Sequence, residues 1–149
     1  MHKMSAVLLS SLGLLLALSS RAAAQAPAGP PAYRQVVTAK PGTIVFVAGQ
    51  VAQNEKGELV GKGDLKAQAD QAWENVKRAL AAGGATFNDV VKTTTYVVNY
   101  KPAMRDELRA ARLRAMGPVD PPAATLVGVQ SLASEDWLVE IEVTAVIPR

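Results

Sequence analysis

Between Leu138 and Ile147 the chain alternates strictly between two faces, and this restricts its folds more than any other feature. Val139, Ile141, Val143, Ala145 and Ile147 fall on one side of an extended strand; Leu138, Glu140, Glu142, Thr144 and Val146 fall on the other. A wholly apolar face has to be covered by another layer of the same domain. The second face mixes two carboxylates with apolar side chains. A half-apolar sheet face of this kind is often covered by another subunit, so a homo-oligomer is expected.

The rest of the chain supplies the covering layer. Asp64 is an N-cap candidate, and Leu65, Ala69, Ala72, Trp73, Val76 and Leu80 then recur at three- and four-residue steps, as on one helical stripe ended by Gly83-Gly84. Pro102 opens a second helix that runs to about Met116. Gln35–Thr38 and Thr43–Ala48, joined by the turn Lys40-Pro41-Gly42, read as strands, as do Val90–Val98 and Ala124–Val129. The expected order is β-β-α-β-α-β-β, an α+β sandwich with both helices on one face of a mixed sheet.

The N-terminus reads as an export signal. A short basic start, Met1-His2-Lys3-Met4, precedes an apolar run from Ala6 to Ser19 and the small residues Ala22-Ala23-Ala24. The run is short for a bilayer span, so residues 1–24 are assigned as a cleaved signal peptide. Residues 25–32 (QAPAGPPA) read as a mobile leader and 33–149 as one folded domain. The expected location is periplasmic or secreted, with no membrane attachment after cleavage. Losing Lys3 and Arg21 leaves 14 Lys+Arg against 13 Asp+Glu. That near-neutral balance argues against general binding to nucleic acid or anionic membrane.

Composition also removes much chemistry. The chain has no cysteine, and its one histidine, His2, lies in the signal. Thiolate nucleophiles, Ser-His-Asp triads and zinc sites built on Cys or His are therefore excluded from the mature domain. Carboxylates, tyrosine, backbone groups and water remain. Glu140 and Glu142, two apart on a strand, share a face at roughly 7 Å, where one carboxylate can raise the other's pKa and serve as a base; a plain charged stripe is the alternative. Arg105, Arg109 and Arg112 share a helical face that could hold phosphate or RNA. With Asp106 and Glu107 in the same turn, they read instead as a solvated face. Gly49 at the second strand's end permits either close backbone approach or a bulge.

In order, these segments resemble one family. Tyr33-x-Gln35 looks like its GPYSQ segment, Val45-x-Val47-Ala48-Gly49-Gln50 like its V-x-V-S-G-Q strand end, and ADQAWENV (69–76) like part of its first helix. DVVKTT (89–94) is similar to its D-V-V-K-T-T strand, Pro122–Val129 to its P-A-R-S-x-V-x-V segment, and Val139-Glu140-Ile141-Glu142 to its I-E-I-E strand. The chain thus resembles the RidA (YjgF, or endoribonuclease L-PSP) family across the whole mature domain.

The resemblance implies a chorismate-mutase-like fold, and a homotrimer with small-molecule sites in the clefts between subunits. It also implies hydrolysis of enamines and imines to 2-keto acids and ammonia, without metal or cofactor. Matched by position, Glu140 corresponds to the water-positioning glutamate, Tyr33 to the tyrosine lining the pocket, and Gly49-Gln50 to the backbone turn beside it. The family arginine that grips the substrate carboxylate falls on Ala124. The serine before the Gly-Gln pair is Ala48, and the asparagine common on the second helix falls on Glu107. Loss of these polar anchors leads to the expectation of an inefficient deaminase of small 2-imino acids with a less anionic ligand, or of a binding trimer without turnover. An RNA-acting protein is the least favoured class.

Overall fold

A computed structural model describes residues 33–149; the signal-peptide and leader assignments lie outside the described residues. Four strands and two helices follow one another as β1 (Gly42–Gln50), α1 (Leu65–Ala82), β2 (Val90–Val98), α2 (Arg105–Met116), β3 (Ala123–Val129) and β4 (Val139–Pro148). The sheet order is β1-β4-β2-β3, with β2 and β3 parallel and the other pairs antiparallel. This is the expected α+β architecture, a mixed sheet with both helices on one face.

The alternation in β4 decides which face that is. Val139, Ile141, Val143 and Ala145 are buried under the helices with Val76, Leu80, Ala69 and Ala72 of α1. Each fully buried branched side chain contributes about 1.5–3 kcal/mol. Trp73 meets Phe87 edge-on, with ring centroids 6.1 Å apart. Asp64 caps α1 by accepting from the Ala67 N–H at 3.1 Å, and Gly83 closes it. A single 3-10 turn over Pro102–Met104 precedes α2. On the outer face, Ile44 and Phe46 are 56% and 78% exposed, opposite Val146 and Thr144 in register.

One expected strand is absent. Arg34 makes a single parallel bridge with Ala123, its N–H donating to the Pro122 carbonyl at 3.1 Å, but no ladder continues through Gln35–Thr38. The topology explains this. The chain is pinned beside β3 at Arg34 and enters β1, the opposite edge strand, at Gly42. It therefore spends these residues crossing the sheet, four strand spacings or about 19 Å at ~4.8 Å per strand, and does not run along it.

Two buried amides lock α1 to the loops around the sheet. Gln68 donates to the carbonyls of Gly61 (3.1 Å) and Asp136 (2.8 Å) and accepts from the Leu138 N–H at 2.8 Å. Asn75 donates to the carbonyls of Val51 and Gln53 at 2.7 and 2.8 Å, fixing the chain as it leaves β1. Between the helices, Arg114 donates two hydrogen bonds to Asp70 and one to Glu107. Burial pushes the Asp70 carboxyl up, but Lys66 and Arg114 outweigh it and hold the group below its ordinary value. Gln68→Leu leaves three half-buried backbone groups without their side-chain partner. Chemical denaturation should show a loss on the order of 3 kcal/mol, with no change in secondary structure by circular dichroism.

Candidate functional site

α2 packs chiefly against α1. Its core contacts come from Leu108, Ala111 and Met116, a stripe too narrow to reach down to the β2–β3 edge. The gap is a cavity of about 320 Å³ whose lining includes Tyr33, Thr93, Ala124 and Leu126, with Arg105, Arg109 and Arg112 on the α2 side. Register sets its floor: Thr93 pairs with Ala124 and Thr95 with both Leu126 and Ile141, so these side chains share the helix-side face. Tyr33 is held at the rim because its neighbour Arg34 bridges Ala123.

The three arginines do not form the solvated stripe expected from the sequence. Arg109 and Arg112 are half-buried, and all three line the cavity. Burial, with a smaller effect from the neighbouring Arg109, lowers the pKa of the Arg112 guanidinium. A guanidinium still keeps its charge at any physiological pH. No Asp or Glu is among the lining residues, so the cavity wall is cationic. At Ala124 the strand position is a methyl, and the positive charge on this cavity comes from the helix. Glu107 turns away from the cavity and accepts from Arg114 at 2.9 Å.

The remaining candidates lie elsewhere. Glu140 pairs with Tyr96 in register and points to the outer face, while its neighbour Ile141 lines the cavity. Near its end β1 carries a bulge: Val47 pairs with Val143 but Gln50 with Ile141, so Ala48 and Gly49 together oppose Glu142. The bulge brings the Gly49 backbone against the Glu140 side chain. A Cβ added at Gly49 would lie 1.7 Å from Glu140 Oε1, so only glycine allows this approach. The Gln50 side chain donates to the Ala48 carbonyl at 3.0 Å.

The structure therefore groups Tyr33 with Ala124, and Glu140 with Gly49, on opposite faces, while Gln50 stands in register with Ile141 beyond the bulge. Two strand spacings, about 10 Å, also separate β4 from β3. Within one copy the two groups do not form one site.

Beside Glu140 lies a group that the sequence reading passed over. The Tyr96 hydroxyl donates to Glu142 Oε1 at 3.1 Å across β2 and β4. Tyr96 and the carboxylates share a face by alternation, a relation visible only once the β2–β4 register is known. The hydrogen bond to Glu142 raises the Tyr96 pKa above 10.0, helped by burial and by the charges of Glu142 and Glu140. In a spectrophotometric titration one tyrosine should ionise above its ordinary value. Glu142→Gln, which keeps an acceptor but removes the charge, should move it back down.

Known proteins resemble this chain in sequence and in fold. Residues 23–147 match the family described as endoribonuclease L-PSP. A RutC family protein of Pyrococcus horikoshii is 39% identical over 121 residues, spanning 80% of this chain and 88% of that protein. A 2-iminobutanoate/2-iminopropanoate deaminase of Dermatophagoides farinae is 33% identical over 123 residues, covering 81% and 88%. The crystal structure of YyfB from Yersinia pestis, a Rid family protein of unknown function, superposes with a TM-score of 0.69 at 45% identity, covering 71% of this chain and 80% of that one. On the family match, the shared fold and the relatives, the chain belongs to the RidA (endoribonuclease L-PSP) family.

Proposed function

We propose that the protein is an exported imine or enamine hydrolase that works as a homotrimer, with its small-molecule site assembled between copies. The observation that carries this reading is Glu140 held against the bare backbone of Gly49. A carboxylate beside a glycine leaves room for a small electrophile to approach both the acid and the peptide groups. In the reaction the oxygen of water bonds to the C=N carbon and the π electrons move to nitrogen. Glu140 takes the water's proton and passes it to that nitrogen, giving a carbinolamine; it then relays the remaining hydroxyl proton to the amino nitrogen as the C–N bond breaks, releasing ammonia and leaving C=O. The name of the Dermatophagoides relative, 2-iminobutanoate/2-iminopropanoate deaminase, supports chemistry of this class.

Assembly between copies is supported by the split of the candidates over two faces and by the exposed Ile44 and Phe46 on the Glu140 side. A second copy covering that face would bury them. Export rests on the basic start, apolar run and small residues of the N-terminus. A second reading, a trimer that binds without turnover, is favoured by the methyl groups at Ala48 and Ala124.

An assay that generates 2-iminobutanoate in situ and follows 2-oxobutyrate release separates the two readings. The hydrolase reading predicts acceleration that falls on the order of 100-fold in Glu140→Gln; no acceleration by the unaltered protein selects the binding reading. Gly49→Ala should lose rate similarly with a stability change under about 1 kcal/mol, because the added methyl displaces a flexible side-chain end. Phe46→Glu should shift sedimentation to the monomer; an unshifted trimer would remove the outer face from the interface.

A further inference from the structure

Glu140 is a long side chain, and it has to be held if it is to aim a water. On its β1 side the bulge does part of this. The side chain lies lengthwise over Gly49, where an added Cβ would sit 2.8, 2.5 and 1.7 Å from Glu140 Cγ, Cδ and Oε1. Among the described residues none donates a hydrogen bond to Glu140. Contact alone therefore keeps the carboxylate over the bulge, and a side chain with several rotatable bonds needs a second wall to stay there. The strand on the other side of β4 is β2, and the residue opposite Glu140 on it is Tyr96.

Tyr96 does not spend its hydroxyl on the residue it faces. The hydroxyl reaches along the diagonal and donates to Glu142 Oε1 at 3.1 Å, a separation that an aromatic side chain spans. The ring is thus tethered at its far end and stands as a fixed block on the β2 side of Glu140. The hydroxyl's single proton is committed to Glu142, which leaves both oxygens of Glu140 open to a proton from water. Lys92, on the same face, does not compete for Glu142: it donates to Thr125 and to the Thr93 carbonyl. The same hydrogen bond raises the Tyr96 pKa, so the phenol stays protonated and remains a donor at neutral pH.

We propose that Tyr96 is a positioning residue for Glu140: tethered to Glu142, its ring closes the β2 side of a slot whose β1 side is the Gly49 backbone, and so holds the Glu140 carboxylate where it can take the proton of the attacking water. This rests on the hydrolase reading for what Glu140 does, but not for how it is held. Neither Tyr96 nor Glu142 touches the reacting atoms. Glu142 acts through Tyr96, and Tyr96 through the freedom it takes from Glu140. Holding a base affects the chemical step and not the grip on substrate, so the signature is a loss in kcat with KM little changed.

Kinetics and NMR on the full protein test this together. In the 2-iminobutanoate assay, Tyr96→Phe and Glu142→Ala each cut the tether and should each lower kcat about tenfold, with KM changed less than about twofold. Their double variant should fall no further than either single one, because both remove the same contact. Glu142→Gln keeps an acceptor for the tyrosine and should recover at least about half of the rate lost in Glu142→Ala. Independently of turnover, NMR relaxation on isotope-labelled glutamate should show an ordered Glu140 side chain in the unaltered protein. Its order parameter should drop by about a third in Tyr96→Phe. Losses in KM alone, losses that multiply in the double variant, no recovery with glutamine, or a Glu140 side chain equally ordered in Tyr96→Phe would each overturn the proposal. If the unaltered protein turns over no imine yet Glu140 loosens in Tyr96→Phe, only the hydrolase reading falls. Turnover with a Glu140 indifferent to the tether sinks only the positioning role.

Discussion

The two-faced alternation of β4 is the constraint on which the rest of the molecule depends. β4 lies inside the sheet, between β1 and β2, so each of its residues is committed to one side. Val139, Ile141, Val143 and Ala145 form the core under the helices. The residues between them put Glu140 and Glu142 on the other face, beside Tyr96 and the Gly49 bulge. A slip of one residue in register would exchange the two sets and bury both carboxylates in the apolar layer. The apolar half of the strand thus fixes where its carboxylates point.

The helix layer creates the cavity by what it fails to cover. α1 has a long apolar stripe and spans the sheet over β4 and β1. α2 is shorter and more polar, and its few apolar residues go to the core alongside α1. The floor beneath the β2–β3 edge is left to Tyr33 and the arginines. Gln68, Asn75 and the Asp70–Arg114 pair tie loops and helices together, while the site residues stand where that network ends.

What the sequence made legible, and what it hid, follows from the range of the interactions involved. Helix α1, its Asp64 cap and strand β2 are set by local pattern, and they fall where the spacing puts them. The burial of alternate β4 residues is equally local. Gln35–Thr38 has strand composition but no partner, because sheet order, a long-range property, makes that segment cross the sheet. The arginines of α2 were misread for a related reason. Charge spacing shows which residues share a helical face, but not whether that face meets water or a cavity. That depends on how α2 leans on α1. Tyr96 and Glu142 are 46 residues apart and meet only through register.

The placement of the candidates gives the account its central claim. Glu140 with Gly49 and the arginine-walled cavity with Tyr33 lie on opposite faces, which underlies the proposal that a working site takes one group from each of two copies. Subunit mixing tests this most directly. Glu140→Gln and the double variant Arg109→Ala, Arg112→Ala are each expected to be inactive as homo-oligomers. When they are unfolded together and refolded, some interfaces combine an intact Glu140 with an intact cavity, and imine hydrolysis should return to a substantial fraction of the unaltered rate. Mixed oligomers that form yet remain as inactive as either parent would contradict a site shared between copies.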